Sequence, residues 1–369
     1  MTHKRFGVGI VGLQPGRSWA AVAHVPALRA LPDYFDIIGV ANSSRESAAE
    51  AAAAMSIERA FTDVAELVAA PEVDIVVVAV KVPHHLEIVK AAIGTGKHVY
   101  CEWPLGNGLV EAEELAALAG ARGVLGVVGT QARVAPEIVH LRQLIADGFV
   151  GEVLSTTLVA RAGGWGGSIP VQKTGAYLLD RANGATMLTI PLGHTLAALR
   201  DVLGEITELS SVLATRRTQA LALDTGETLP VTAPDQVLVS GLLTSGAPVS
   251  IHYRGGAARG GDGLVWEING TEGDIRVTGS SGHAQMVQLS LTGGRGGDKE
   301  MKPLDVPADL RAGWPDEVVP GNVARVYAQM ATDLRDGTRT APTFDDAVRI
   351  HRIIAAIEAS GDGRRVALG

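Results

Sequence analysis

The sequence predicts an α/β fold, with a doubly wound parallel sheet in the first part and an α+β domain with a large, mainly antiparallel sheet after it. Two observations carry this prediction. Strand-like and helix-like segments alternate six times within about 130 residues, a rhythm typical of parallel sheets. Beyond Gly129, strand-like segments follow one another instead, and Gly270-Thr271-Glu272-Gly273 has the composition of a hairpin turn. We therefore expect one domain at 1–129 and a second at 130–369, with the last helix packing back on the first.

Hydrophobic periodicity predicts the individual elements. In the first domain, an opening strand is followed by strands at 36–41, 73–80, 98–101 and 124–128 and helices at 46–55, 63–70, 86–94 and 109–121. In the second, helices are expected at 136–147, 180–203 (interrupted near Pro191), 321–336 and 343–360, with strands at 152–161, 209–215, 236–243, 249–253, 265–269, 274–278 and 365–368. The glycine-rich stretches 254–263 and 293–297 are predicted to be mobile loops.

Composition excludes several functional classes. The 369 residues carry a net charge of −8, and the basic residues occur as pairs rather than as the patch that nucleic-acid binding needs. A single cysteine excludes a disulfide scaffold and fits a reducing compartment. No run of about 18 apolar residues is present, and the opening stretch lacks a cleavage site. These features predict a cytoplasmic protein with neither a membrane nor a nucleic-acid partner.

The stretch at 6–28 has the pattern of a Rossmann unit, in which a strand, a tight loop and a helix cradle a dinucleotide's pyrophosphate. Gly7, Gly9 and Gly12 match the usual glycine pattern out of register, because the first two lie inside the strand. Ser18 is placed to cap the helix that follows. We call residues 12–18 the glycine loop. Its predicted cofactor contacts, with the residue after it, are Gly12, Leu13, Gln14, Gly16, Arg17, Ser18 and Trp19. The alternative is an ordinary strand–helix turn without a ligand.

Cofactor choice depends on the end of the second strand. An acidic residue there would hold the adenosine ribose of NAD, but this chain has Asn42-Ser43-Ser44-Arg45. Neutral hydroxyls with an arginine suit the additional phosphate of NADP, so the pattern favours NADP over NAD. The alternative is that Arg45 projects into solvent from the start of the helix.

A set of short motifs, in order along nearly the whole chain, resembles the glucose–fructose oxidoreductase/inositol dehydrogenase/MocA family. The motifs are Gly9-Ile-Val-Gly12, Ala23-His-Val-Pro-Ala-Leu28, Tyr100-Cys-Glu-Trp-Pro-Leu105, the segment 141–153, Gly193-His194, Asn269-Gly-Thr-Glu-Gly-Asp274 and Asp345-Asp346-Ala347. Within the family, the long glycine loop, Gly163-Gly-Trp-Gly166, Pro234-Asp235 and Arg254-Gly-Gly256 resemble a divergent branch, the fungal inhibitor proteins of the galactose regulon. The resemblance implies dinucleotide binding, with either hydride transfer to a sugar or cyclitol or regulation through a protein partner.

The resemblance also identifies expected catalytic groups, of which two are replaced. Family enzymes use a lysine in a Glu-Lys-Pro turn and an Asp–His pair four residues apart, since oxidising a carbinol requires a base for its proton. Here Trp103 replaces the lysine, and Ile190 replaces the aspartate before His194. His194 is therefore either a lone acid/base or a packing residue. Lys81, directly after the third long strand, either supplies the missing ammonium group or contacts cofactor ribose and solvent.

The remaining candidates come from the same resemblance. Expected near the cofactor are Val80, Lys81, His85, Glu102, Trp103, Pro104 (a candidate cis proline) and Gln131, and on the substrate side Trp103, Arg133, Trp165, Lys173, Asp180 and His194. For each of them a packing or surface role is the alternative. No metal site is expected, because the adjacent His84 and His85 do not converge on one ion.

Two functions follow from these observations. The first is an NAD(P)-dependent oxidoreductase acting on a sugar, a sugar acid or a cyclitol. The second is a dinucleotide-binding sensor or regulator without turnover, acting through a protein partner. In either case the second domain's sheet has a face to cover, and relatives pair such sheets between subunits, so a homodimer is expected.

Overall fold

The computed structural model describes residues 4–368. The chain divides into two compact units: unit 1 comprises Met1–Gln131 with Gly313–Arg349, and unit 2 comprises Ala132–Ala312 with Ile350–Gly369. The assignment of separate roles to domains 1–129 and 130–369, and the packing of the last helix on the first domain, stay predictions.

Unit 1 is built around a six-stranded parallel sheet in the order β3-β2-β1-β4-β5-β6. Its elements before residue 131 are β1 (Phe6–Val11), a π-helical turn (Ala20–His24) continuous with α1 (Val25–Arg29), β2 (Phe35–Ala41), α2 (Arg45–Ala54), β3 (Arg59–Ala60), α3 (Val64–Ala69), β4 (Ile75–Val78), α4 (His85–Gly94), β5 (His98–Glu102), α5 (Leu109–Arg122) and β6 (Gly126–Gly129). The strand order reverses beside β1, and ligands of such sheets bind at this reversal.

The predicted strand at 73–80 is too long. Only Ile75–Val78 forms β4, and all four residues are buried between β1 and β5, as expected for a central parallel strand. The chain leaves the sheet early because the 3₁₀ turn Val82–His84 follows almost at once. The two-residue β3, which pairs with β2, is too short to produce a periodic signal and was not predicted.

The remaining elements follow in chain order. They are α6 (Pro136–Ala146), β7 (Val153–Ala162), β8 (Ser168–Ile169), α7 (Gln172–Gly175), α8 (Pro191–Leu203), β9 (Ile206–Ala214), β10 (Gln219–Ala222), β11 (Thr228–Pro230), β12 (Gln236–Leu243), β13 (Pro248–Gly255), β14 (Leu264–Gly270), β15 (Gly273–Gly279), β16 (Leu289–Arg295), β17 (Lys302–Pro303), α9 (Val318–Asp336), α10 (Phe344–Ala359) and β18 (Val366–Ala367). Helix α9 belongs to unit 1, and α10 begins in unit 1 and ends in unit 2.

Unit 2 contains a nine-stranded sheet in the order β17-β16-β15-β14-β7-β13-β12-β9-β18, beside a small sheet β11-β10-β8. Within the large sheet, β7 and β13 are parallel and every other paired strand is antiparallel. The six-stranded parallel sheet and the nine-stranded, mainly antiparallel sheet confirm the predicted fold class. Helix α8 is largely buried, and its Thr195 hydroxyl lies 2.5 Å from the Tyr253 hydroxyl of β13.

Two predictions for unit 2 are wrong. The stretch 180–190 is not a helix interrupted near Pro191, because it forms the 3₁₀ turn Arg181–Asn183 followed by irregular chain. Helix α8 begins only at Pro191. Proline is favourable at this first position, since the backbone N–H that it lacks would have no hydrogen-bond partner within the helix. The glycines at 293–294 belong to β16, since they pair with Asp274 and Ile275 of β15, and are therefore not part of a loop. The short strands β8, β10, β11 and β17, and the longer β16, were not predicted.

None of the helices among residues 4–368 is both long enough and apolar enough to cross a membrane.

Candidate functional site

The glycine loop begins at a position that only glycine can occupy. Gly12 has a φ of +99°, and a Cβ there would lie 2.6 Å from Cγ1 of Val80 and 2.7 Å from the carbonyl oxygen of Ala79. Its N–H donates to the carbonyl oxygen of Ala41 at 3.1 Å. At the end of β1, the first residue of the glycine loop therefore packs directly against the chain that follows β4, and no side chain fits between them.

Asn42 holds the glycine loop to the end of β2. Its Oδ1 accepts from the Leu13 N–H at 2.9 Å, and its Nδ2 donates to the Leu13 carbonyl oxygen at 2.8 Å. The Leu13 side chain is fully buried. The polar groups of Asn42 and Leu13 bind each other and so shape the loop, and their predicted contact with a cofactor stays a prediction.

Ser18 closes the other end of the loop. Its hydroxyl accepts from the Gln14 N–H at 2.8 Å and donates to the Gln14 carbonyl oxygen at 3.0 Å. It also accepts from the Ala21 N–H at 3.3 Å, although the N-cap residue of the π-helical turn is Trp19 rather than Ser18 as predicted. Gln14, Gly16 and Arg17 stay exposed, so this part of the loop is open to a ligand.

The chain after β2 offers an exposed arginine beside an exposed hydroxyl. Ser44 is the N-cap residue of α2, and its hydroxyl oxygen accepts from the Ser47 N–H at 3.2 Å. Ser43 and Arg45 are exposed. Of the four residues at the end of β2, Ser43, Ser44 and Arg45 are exposed, and the Ser44 hydroxyl is used as the helix cap, which leaves Ser43 and Arg45 for a phosphate.

His85 supports the backbone of the site. Its Nε2 lies 3.0 Å from the Val80 carbonyl oxygen and its Nδ1 lies 2.8 Å from that of Pro104. The ring is buried, and this burial lowers the pKa of His85. His85 thus joins the end of β4 to the chain after β5, and its contact with a cofactor stays a prediction.

Glu102, at the end of β5, lies within a buried polar network. Gln131 Nε2 donates to both carboxylate oxygens, at 2.8 and 2.9 Å, and Nε2 of His24 lies 2.9 Å from Oε1. Nδ1 of His24 lies 2.7 Å from the Tyr327 hydroxyl. A side chain at Gly129 would meet the Glu102 carboxylate at 2.6 Å. The amide of Gln131, predicted to line the cofactor cleft, is thus used to hold Glu102.

The next two residues carry the largest departure from the family's catalytic pattern. The Trp103–Pro104 peptide bond is cis, which confirms the cis proline considered for Pro104. Trp103 is only 5% exposed, so its indole occupies core volume where a catalytic lysine was expected. Lys81 and its neighbour Val80 follow β4 at the carboxyl edge of the sheet, and Lys81 is exposed.

Unit 2 places two histidines near one another. His194 of α8 is 4% exposed, and its Nδ1 is buried without a hydrogen-bond partner among the described residues. Burial, and then the charge of nearby His283, lowers the pKa of His194 to about 3, while burial lowers that of His283 to about 4. Both imidazoles are therefore neutral at physiological pH, and neither has an acid that orients it.

Trp165 belongs to the same cluster. Its ring stacks on that of His283, with centroids 6.2 Å apart and planes 17° from parallel, and its Nε1 donates to the Leu178 carbonyl oxygen at 3.0 Å. Trp165 is 4% exposed. His283 covers one face of the ring, and the place of Trp165 on the substrate side stays a prediction.

The other substrate-side candidates have structural partners or lie on the surface. Nε of Arg133 donates to Oδ2 of Asp201 at 2.6 Å, an ion pair in which both side chains are mostly buried. Asp180 accepts from the Ala182 N–H and the Thr232 hydroxyl, and these bonds lower its pKa. Lys173 is exposed on α7.

Two histidines of the site were not singled out from the sequence. His24 was part of a family motif, but its contact with Glu102 joins residues far apart in the chain. No local sequence pattern predicts such a contact. His283 follows Gly282, whose carbonyl oxygen accepts a hydrogen bond from the Tyr253 hydroxyl at 3.0 Å. The sequence around His283 matches none of the motifs that pointed to the other candidates. Within residues 4–368, no cluster of three or more His, Cys, Asp or Glu side chains is arranged to hold a metal ion.

Family models match both parts of the chain. Residues 6–130 match the oxidoreductase family with an NAD-binding Rossmann fold (Gfo/Idh/MocA), and residues 136–279 match the C-terminal domain of Gal80p. Together these matches span most of the chain.

Curated relatives include both regulators and enzymes. The chain is 30% identical over 302 residues to the galactose/lactose metabolism regulatory protein GAL80 of Kluyveromyces lactis, covering 77% of this chain and 66% of that protein. It is 30% identical over 369 residues to the dehydrogenase aclE of Aspergillus oryzae, covering 97% of each chain.

Solved structures show the same division. The transcriptional regulator Gal80p from Kluyveromyces lactis superposes with a TM-score of 0.87 at 27% identity, over 100% of this chain and 95% of that one. An NAD-binding oxidoreductase from Klebsiella pneumoniae superposes with a TM-score of 0.84 at 26% identity, over 99% and 100%. The chain therefore belongs to the glucose–fructose oxidoreductase/inositol dehydrogenase/MocA family of NAD-binding oxidoreductases, in the branch with a Gal80p-like C-terminal domain.

Proposed function

We propose that the protein is an NAD(P)-dependent oxidoreductase that moves a hydride between the nicotinamide and a carbinol carbon of a sugar, a sugar acid or a cyclitol. The observation that carries this proposal is the glycine loop. Gly12 has no room for a side chain, and Asn42 and Ser18 hold the loop so that exposed chain precedes a helix start. That arrangement suits a pyrophosphate. The dehydrogenase that matches over 97% of each chain supports the same function.

NADP is the proposed cofactor, with NAD as the alternative. Ser43 and Arg45 are exposed beyond β2, where an NAD-specific site would place a carboxylate. An arginine there suits a 2′-phosphate, because guanidinium binds phosphate with paired N–H donors.

His194 is the proposed proton acceptor. Oxidation of a carbinol releases a hydride to the nicotinamide and a proton from the hydroxyl, and a neutral imidazole can accept that proton. The pKa of about 3 makes this imidazole a weak base, so a slow chemical step is expected. Lys81 is the second candidate, since it lies exposed after β4.

A second function is favoured by a specific observation. Trp103 is buried where a lysine was expected, and Ile190, one helical turn before His194, offers no carboxylate. Loss of both groups suits a protein that binds the dinucleotide as a sensor and acts through a protein partner. The relatives named as GAL80 regulators support this reading.

A turnover screen separates the two functions. Purified protein is titrated with NADH and NADPH, and a panel of sugars, sugar acids and cyclitols is then tested for redox change of the nicotinamide. An oxidoreductase turns over at least one compound, and His194→Ala lowers kcat while dinucleotide affinity is kept. Binding without turnover across the panel would favour the sensor, and absence of binding would contradict both.

We also propose a cytoplasmic homodimer that pairs through the nine-stranded sheet. Val212 and Leu238, which are paired across β9 and β12, lie exposed on one face of the sheet, and covering such side chains favours association. Light scattering at micromolar concentration tests this: a dimer of the wild type that dissociates in Leu238→Glu is expected, and a wild-type monomer would contradict it.

A further inference from the structure

Two arginines lie side by side on the face of the nine-stranded sheet opposite to α8. Arg161 of β7 and Arg254 of β13 are directly paired in the parallel register. On each strand the preceding residue, Ala160 or Tyr253, is buried, and the Tyr253 hydroxyl contacts Thr195 of α8. Because side chains alternate along a strand, the two arginines project from the other face.

The backbone holds this arginine pair together. The Arg161 N–H donates to the Gly263 carbonyl oxygen at 2.7 Å, and the Arg161 carbonyl oxygen accepts from the Gly282 N–H at 2.7 Å. Arg254 lies within the ladder that β13 forms with β7 and β12. Neither strand can move to separate the two charges without breaking these bonds.

No carboxylate compensates the pair. Among residues 4–368, neither guanidinium forms an ion pair or a hydrogen bond, and Nε of Arg254 is buried without a partner. Other arginines of unit 2 do have an acid: Arg133 pairs with Asp201, and Arg217 with the buried Asp235. The pKa of Arg254 is lowered by burial and, second, by repulsion from the Arg161 charge.

His252 and Gln236 complete the surroundings. His252 precedes Arg254 by two residues on the same face, and its Nε2 lies 3.4 Å from Oε1 of Gln236. Burial, then Arg254 and Arg161, lowers the pKa of His252. The imidazole therefore adds no further positive charge at physiological pH.

We propose that Arg161 and Arg254 form a binding site for an oxyanion, either a phosphate or a carboxylate group, on the outer face of the nine-stranded sheet. Two guanidinium groups on directly paired residues bring several N–H donors to one place on the sheet, which suits such an anion, and the anion removes their repulsion. The oxyanion comes from a free ligand or from an acidic side chain of a second copy that covers this face. The site is independent of the proposed dinucleotide and substrate chemistry.

Inorganic phosphate and citrate are the probes for a free ligand. Isothermal titration of the full chain is compared among wild type, Arg161→Gln, Arg254→Gln and the control Arg276→Gln. Arg276 lies on the same face but already has Glu267 at 3.7 Å. The site predicts binding to wild type and to the control, weakened at least about tenfold by either substitution of the pair. Light scattering of the same proteins in phosphate-free buffer tests the second copy.

The direction in which the melting temperature changes is an independent test of the arginine pair. In buffer without phosphate or carboxylate, Arg254→Gln relieves the repulsion and should raise the melting temperature, whereas loss of a purely structural arginine lowers it. Phosphate should raise the melting temperature of wild type and of the Arg276→Gln control more than that of Arg254→Gln, since a ligand stabilises only the form that binds it. Dissociation of a dimer by Arg161→Gln or Arg254→Gln, without free-anion binding, assigns the oxyanion to the second copy. The proposal fails if neither substitution changes anion binding or self-association.

Discussion

Each of the two units contains a buried histidine among the predicted or observed candidate residues, and the surroundings of these two histidines differ. In unit 1, Nδ1 of His24 lies 2.7 Å from the Tyr327 hydroxyl with which it shares a hydrogen bond, and its Nε2 lies 2.9 Å from the Glu102 carboxylate without hydrogen-bond geometry. In unit 2, Nδ1 of His194 has no partner among the described residues, and the charge that reaches it comes from His283. Unit 1 keeps a connected polar network at the proposed cofactor end, whereas unit 2 keeps an imidazole without an orienting acid. Retained dinucleotide binding with weakened acid–base chemistry is the expected consequence.

The largest effect should come from Gly12→Val. A side chain there collides with Val80 and the Ala79 carbonyl, and φ of +99° strains any non-glycine residue. Fluorescence titration with NADH and NADPH should show affinity lower by at least about 100-fold, because the backbone donors of the loop are displaced. Gly16→Ala is the matched control: φ is +71°, but no atom lies within 4 Å of the added Cβ. A smaller loss is expected there, and equal losses would show that the close approach at Gly12 does not matter.

Breaking the unit 1 network should cost more stability than altering the unit 2 histidine. Glu102→Ala leaves Gln131 without its acceptor and removes the carboxylate next to His24, and should lower the free energy of unfolding by about 3 kcal/mol. His194→Leu removes a neutral ring whose Nδ1 is already unpartnered and should cost under about 1.5 kcal/mol. Urea unfolding of both variants measures the difference. Similar costs would remove the distinction between the two histidines.

Acid should destabilise the fold through the unit 2 histidines. Unfolded histidine binds a proton near its ordinary pKa of 6.5, but the folded pKa is about 3 for His194 and about 4 for His283. Between these values the unfolded chain holds more protons, so the free energy of unfolding falls as the pH is lowered from about 6.5 to about 4. Each histidine contributes at most about 1.4 kcal/mol per pH unit. Urea unfolding across this range should show a shallower dependence for His194→Leu than for wild type, and an unchanged slope would contradict the burial argument.

The smallest effect concerns cofactor choice. Arg45→Ala should weaken NADPH binding about tenfold, as expected for one charged contact to phosphate, and leave NADH binding unchanged. Titration with the two cofactors measures the ratio, with Arg17→Ala in the glycine loop as the comparison, since a pyrophosphate contact should affect both equally. Equal losses for NADPH and NADH in Arg45→Ala would place Arg45 away from the 2′-phosphate.

Much of the fold was predictable because a long segment with periodic or continuous apolar residues can bury them in only one type of secondary structure. The strands at Phe35–Ala41 and Gln236–Leu243 match their predictions within one residue. Pairing that depends on distant chain was not predictable: β3 has two residues, and the glycines of β16 have no side chains to produce alternation. The stretch 180–190 has the composition of a helix, but it forms a 3₁₀ turn and irregular chain, and the helix begins only at Pro191.

For the site, the structure gives each predicted residue its protein partners, while its contact with a cofactor or substrate stays a prediction. Asn42, His85 and Gln131 all lie at the proposed cofactor end, yet each side chain binds the protein itself. A sequence states which residue follows a strand, but the partner of its side chain comes from a segment tens of residues away. His24 and His283 were missed for the same reason.

Transfer of labelled hydride tests the central claim most directly. The protein is incubated with NADPH or NADH deuterated at the transferable position and with carbonyl forms of the sugar, sugar acid and cyclitol panel, and the products are examined by mass spectrometry. The oxidoreductase account predicts one deuterium at the new carbinol carbon of at least one product, absent with Gly12→Val. Tight dinucleotide binding with no deuterium in any product would contradict it and leave the sensor function.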